Sequence, residues 1–165
     1  MKPKILFVDD ELEVIEGVRR VLRKEPYELL SATSAEDALD LLSREQVDVV
    51  VSDEMMPGLS GCEFLGIICR NYPTTIRLLL TGHADVDVAK RAINVGEVYR
   101  ILVKPFSPVD IAKTIRDALE YKEELLRSGR TVAPKPPPQE TPAQPSYNIG
   151  NSPAMTPAAV PQQIA

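Results

Sequence analysis

Two hydrophobic periods alternate through the first 128 residues of the chain. Residues 4–9, Lys-Ile-Leu-Phe-Val-Asp, form a short apolar run of strand length, and Leu12, Ile15, Val18, Val21 and Leu22 then recur at helical spacing through residue 24. The alternation continues. Tyr27–Thr33 reads as a strand, and Ser34 followed by Asp37 gives an N-cap signal for a helix carrying Ala38, Leu41 and Leu42. Val47–Ser52 is the third strand and Cys62–Tyr72 the third helix; Ile76–Leu80 is the fourth strand, with residues 85–95 helical behind it. Tyr99–Val103 is the fifth strand. The last helix opens with Ser107 as N-cap and Pro108 at the first helical position, and runs through Ile111, Ile115, Ala118 and Leu119 into the charged stretch Glu120–Arg127.

Five strands alternating with five helices predict an α/β doubly wound sheet. The three consecutive valines at 49–51 suit a strand covered on both faces. Right-handed crossovers bring every strand's C-terminal end to one edge, and the site of such a sheet lies outside that edge.

Composition divides the chain. Residues 131–165 hold nine of the fifteen prolines, carry only Lys135 and Glu140 as charges, and show no apolar period. Residues 1–128 are therefore expected to be the folded unit, with 129–165 a Pro-rich disordered tail or linker. The net charge of -5 gathers no basic face, which argues against direct nucleic-acid binding. No apolar run approaches membrane-spanning length and no secretory h-region opens the chain, so the expectation is a cytoplasmic protein without membrane contact. Cys62 and Cys69 stand seven apart on one predicted helix, too far to bridge, and read as two reduced core thiols. A single histidine leaves no Cys/His zinc site.

The strand ends carry the chemistry. The first ends in Asp9-Asp10, the third in Asp53, the fourth in Thr81 and the fifth in Lys104-Pro105, whereas the second ends in the uncharged Ala32-Thr33-Ser34. Three carboxylates and one ammonium leave two net negative charges, which a divalent cation cancels. An all-oxygen donor set suits a hard ion, and Mg²⁺ in particular, because it keeps water for a phosphate ligand. A phosphoryl group approaching there would find Lys104 and the Thr81 hydroxyl on its oxygens, with Asp53 placed to attack phosphorus. Individually these residues are ordinary turn and strand-end chemistry; only their joint pattern is specific.

In that pattern the chain resembles the receiver domain of two-component response regulators. VDD at 8–10, SDEMMPGLSG at 52–61, LLTGHAD at 79–85 and VKPF at 103–106 match in order, and the resemblance covers about residues 3–122. It implies the flavodoxin-like (βα)5 fold with strand order 2-1-3-4-5. It implies Asp53 as phosphoacceptor, with Mg²⁺ held by Asp10, Asp53 and the Met55 carbonyl, and by Asp9 through water. Thr81 becomes the switch hydroxyl, Lys104 the phosphoryl-binding cation, and Lys104-Pro105 a cis peptide.

The chain departs from the family at the aromatic switch position. Ile101 stands three residues before the lysine, where Tyr or Phe is usual, while Tyr99 lies two residues earlier in the segment Gly96-Glu97-Val98-Tyr99-Arg100. That GEVYR segment is similar to receivers joined to cyclic-di-GMP phosphodiesterase or hydrogenase-type activator domains. By the same resemblance Met55 and His83, two residues past Asp53 and Thr81, look like modulators of dephosphorylation. Because Met55 cannot orient water by hydrogen bonding, a long-lived aspartyl phosphate is expected; His83 reads as a loop residue at the crevice rim.

Three function classes follow. The first is a phosphorylation switch, taking its phosphoryl group from a histidine kinase or histidine phosphotransfer protein and signalling to a downstream output protein through the face of helix 4, strand 5 and helix 5. The resemblance also allows a phosphorylation-dependent homodimer. The domain's own chemistry would then be limited to self-phosphorylation and self-dephosphorylation, without classical enzyme activity. The second is a haloacid-dehalogenase-like phosphatase, which wants a second Asp two residues past Asp53, where this chain has Met55. The third is an adaptor that works without phosphorylation.

Overall fold

A computed structural model describes residues 1–82, 86–95 and 97–129. Strands β1 (Lys4–Val8), β2 (Glu28–Ala32), β3 (Val49–Asp53), β4 (Ile76–Thr81) and β5 (Arg100–Val103) alternate with helices α1 (Leu12–Leu22), α2 (Ala35–Arg44), α3 (Gly61–Asn71), α4 (Val86–Val95) and α5 (Pro108–Arg127). All neighbouring strands are parallel, in the order β2-β1-β3-β4-β5. The doubly wound sheet expected from the hydrophobic pattern is the fold observed. The proline-rich tail from residue 130 onward, and His83, lie outside the described residues.

Successive strand residues face two cores in turn. Ile5, Phe7, Val49, Val51, Leu78 and Leu80 pack against α1 and α5, while Leu6, Val8, Val50 and Leu79 pack against α2, α3 and α4. The valine run at 49–51 is wholly buried because β3 is the central strand, covered on both faces. Burial of this kind contributes roughly 1.5–3 kcal/mol per large side chain.

Element ends shift by one or two residues from the pattern. Val47 is buried and so extends the apolar run, but its carbonyl accepts from the Thr75 hydroxyl (2.9 Å) and sheet pairing starts only at Val49, opposite Ile5. At its other end β3 includes Asp53, paired with Leu80. Tyr99 falls just outside β5. Helix α1 stops at Leu22, with Pro26 shortly beyond.

Caps decide where the helices begin. The Ser34 hydroxyl accepts from Asp37 N–H, and Ser107 with Asp110 forms a reciprocal capping box behind Pro108. A further box, Ser60 with Glu63, starts α3 and was legible as Ser-x-x-Glu. The reading of both cysteines as core thiols holds only for Cys62, which is buried. Cys69 is half-buried, 3.5 Å from the Glu97 carboxylate, because it sits toward the flank of α3. No helix among the described residues is long and apolar enough to cross a membrane.

Candidate functional site

Parallel strands deliver Asp9, Asp53, Thr81 and Lys104 to one edge of the sheet. Asp9 follows β1 directly; its N–H donates to the Ala32 carbonyl (3.2 Å), which extends the β1–β2 ladder by one bond and fixes the residue. Its side chain is fully buried, with Oδ1 accepting from Glu11 N–H at 2.9 Å and Oδ2 lying 3.4 Å from Lys104 Nζ. Asp10 is exposed beside it. One carboxylate oxygen from each of Asp9, Asp10 and Asp53 falls within 4.8 Å of the others.

Lys104 closes this cluster from the far side of the sheet. Its Nζ stands 3.0 Å from Asp53 Oδ1, and its N–H donates to the Thr81 carbonyl at 2.8 Å, so β4 and the β5 end present the ammonium together. The Lys104–Pro105 peptide bond is cis. Thr81 ends β4 and is buried.

Electrostatics leave the cluster short of positive charge. Burial raises the Asp53 carboxyl above its ordinary range; the Lys104 hydrogen bond and charge pull it down, and the charges of Asp9 and Asp10 push it up again. Burial alone would depress Lys104, but Asp53 and Asp9 outweigh it and hold the ammonium above its usual value. One ammonium thus faces three acids. An all-oxygen trio, two of them buried, fits a hard divalent cation such as Mg²⁺.

The loop after β3 is held by Glu54, a residue to which the sequence pattern gave no role. Its N–H donates to the Leu80 carbonyl (2.8 Å), its carbonyl accepts from Gly61 N–H (3.0 Å), and its buried carboxylate accepts from Cys62 N–H (2.9 Å). The Cys62 thiol beside it is pushed up to about 12, by burial first and then by hydrogen bonding to Glu54. Gly61 makes this docking sterically feasible, because a Cβ there would lie 2.3 Å from the Asp53 carbonyl oxygen. Gly58 turns the loop at φ 81°. Met55, first residue of the loop, is 74% exposed.

The two candidates for the aromatic switch lie apart. Tyr99 is buried in the core under α5, stacked on Tyr121 at 4.8 Å between ring centroids, with the Arg100 guanidinium 5.5 Å from its ring centre. Its N–H bonds the Arg77 carbonyl, four residues before Thr81 along β4, or about 13 Å at strand rise. Ile101 pairs with Leu79, two residues from Thr81, and packs on the opposite face, toward α3 and α4. The structure therefore brings together Asp9, Asp10, Asp53 and Lys104, with Thr81 on the same edge, and leaves Tyr99 outside the group.

A family profile described as "Response regulator receiver domain" matches residues 5–116. The hydrogenase transcriptional regulatory protein HoxA of Cupriavidus necator is 34% identical over 116 residues, covering 70% of this chain and 24% of that protein. The response regulator protein FleR of Pseudomonas aeruginosa is 39% identical, over 80% of this chain and 33% of its own length. The chain thus spans about a quarter to a third of these relatives. Among solved structures, the signal receiver domain of an HD domain-containing protein from Pseudomonas fluorescens superposes with TM-score 0.73 at 37% identity, covering 75% of this chain and 99% of that one. The chemotaxis response regulator CheY4 of Vibrio cholerae gives TM-score 0.67 at 30% identity, covering 72% of this chain and 100% of that one.

Proposed function

Because the chain belongs to the response regulator receiver domain family, we propose that Asp53 is the phosphoacceptor of a switch driven by a histidine kinase or histidine phosphotransfer protein. The observation that carries this reading is the Lys104 ammonium 3.0 Å from Asp53 Oδ1, inside an acidic trio built from two strand ends.

In the proposed step an Asp53 oxygen attacks the phosphorus of a phosphohistidine. The P–N bond breaks, its electron pair stays on the imidazole nitrogen, and a P–O bond to Asp53 forms. Lys104 already borders the carboxylate and would follow the charge onto a phosphoryl oxygen; the Thr81 hydroxyl stands on the same edge to donate to another. Asp10, Asp53 and the Met55 carbonyl would hold Mg²⁺, with Asp9 acting through water, its oxygens being engaged by Glu11 N–H and Lys104. The bound cation would offset the negative charge gathered by three carboxylates and an incoming phosphoryl group.

Conversion to the aspartyl phosphate replaces one negative charge by nearly two and adds acceptor oxygens at the mouth of β3. Thr81 and Ile101 connect that edge to the face of α4, β5 and α5, where a downstream output protein would read the change. The phosphatase reading lacks its acid/base, because Met55 occupies the position such an enzyme gives to Asp.

Acetyl phosphate with Mg²⁺ should add one phosphoryl group, seen by intact-protein mass, and the addition should vanish with EDTA or in Asp53→Ala. Labelling that persists in Asp53→Ala would overturn the assignment. A pulldown with beryllofluoride-treated protein should retain an output partner that Asp53→Ala does not.

A further inference from the structure

The six residues Met55–Ser60 leave β3 and return to α3 through a loop whose two ends are joined by Glu54. Its carbonyl holds Gly61 N–H at 3.0 Å and its Oε2 holds Cys62 N–H at 2.9 Å, while its own N–H is tied to Leu80 on β4. Glu54 immediately follows Asp53 in the chain, and α3 approaches so closely that only a glycine fits over the Asp53 carbonyl. Glu54 is 6% exposed, although no lysine or arginine is paired with it among the described ion pairs. A buried carboxylate is costly, and its use here is to satisfy the second free N–H of the helix, where the helix dipole favours negative charge.

From this arrangement we infer that Glu54 is a positioning residue for the cation site, its carboxylate clasping α3 to the end of β3 and so fixing Asp53 and the loop that begins at Met55. The inference rests on the cation site proposed above. Mg²⁺ accepts little departure from octahedral geometry, so small displacements of an oxygen donor are read as lost affinity. Residues behind a metal site that orient its donors typically contribute about 10–100-fold in metal affinity. Ser60 is the internal control: its hydroxyl caps the same helix by accepting from Glu63 N–H, at 3.2 Å, and the described hydrogen bonds include none from it to residue 54.

The test is Mg²⁺ binding to the full 165-residue chain by isothermal titration calorimetry, with no phosphodonor present. Glu54→Ala should raise the Mg²⁺ Kd about tenfold. Glu54→Asp, which keeps the charge but is one methylene too short to reach Cys62 N–H, should do the same. Glu54→Gln keeps an acceptor oxygen and should bind as wild type does, as should Ser60→Ala. An unchanged Kd in Glu54→Ala would overturn the inference. So would a loss in Glu54→Gln that Glu54→Asp restores, which would make Glu54 a matter of charge alone. An equal loss in Ser60→Ala would also overturn it, by assigning the effect to helix stability in general. If circular dichroism finds Glu54→Ala unfolded, the Asp and Gln variants decide the question between them. A wild-type chain that binds no Mg²⁺ would instead overturn the reading of the site itself.

Discussion

The ammonium of Lys104 lies 3.0 Å from Asp53 Oδ1 and 3.4 Å from Asp9 Oδ2, a single cation bridging two buried carboxylates from two strand ends. Burial raises the Asp53 carboxyl and Lys104 offsets part of that rise. Lys104→Met should therefore raise the Asp53 titration further, measured by carboxyl NMR in Mg²⁺-free buffer. With its folded value above its unfolded one, ionised Asp53 opposes folding, and the opposition is relieved as pH falls through the folded value. Asp53→Asn should remove that pH-dependent component in urea melts. The same Lys104→Met change should slow phosphorylation by acetyl phosphate by about a hundredfold, as loss of a charge-stabilising donor does.

Met55 is exposed at the mouth of the site and offers a thioether where a hydrogen-bonding side chain would orient water. Met55→Asn should shorten the lifetime of the aspartyl phosphate several-fold, followed as decay of the phosphorylated mass after the donor is removed. A lifetime equal to wild type would count against the role given to Met55.

Gly61 has no room for a side chain: its Cβ would stand 2.3 Å from the Asp53 carbonyl oxygen, which belongs to backbone and cannot swing aside. Gly61→Ala should cost about 2 kcal/mol in urea denaturation. It should also weaken Mg²⁺ binding, since the displaced backbone atoms belong to Asp53, one of the clustered carboxylates.

The Tyr27 hydroxyl is buried and has no hydrogen-bond partner among the described residues. Tyr27→Phe should stabilise the protein by roughly 1 kcal/mol, measured as a rise in Tm or urea midpoint at neutral pH. Burial also raises the Tyr27 ionisation well above its ordinary value near 10. The folded state thus resists ionisation while the unfolded chain does not. The stability linked to this group is complete below about pH 10 and declines as pH climbs toward the folded value, and Tyr27→Phe should lack that decline.

Periodicity and end chemistry carried most of this fold in one dimension. A wholly apolar β3, helical spacing from Leu12 to Leu22, and Ser107-Pro108 at a helix start need no partner to be read, because burial on both faces and capping are local consequences of side-chain type. The rule that a doubly wound sheet presents its chemistry at one edge was enough to group Asp9, Asp10, Asp53, Thr81 and Lys104.

What the linear pattern did not contain was direction and depth. Glu54 and Met55 are adjacent in the sequence, yet the charged one is buried as a helix clasp and the apolar one is 74% exposed. Tyr99 and Ile101 share strand parity, but Tyr99 lies outside β5 and turns under α5 to stack on Tyr121, while Ile101 faces α4. Those assignments depend on where α3 and α5 dock, and docking is set by contacts between segments distant in the chain. The sequence alone determined which acidic, hydroxyl and lysine side chains stand together on one edge of the sheet. Only the tertiary structure decided which are held and by what, since hydrogen-bond partners such as Cys62 N–H for Glu54 exist only once the helix has packed.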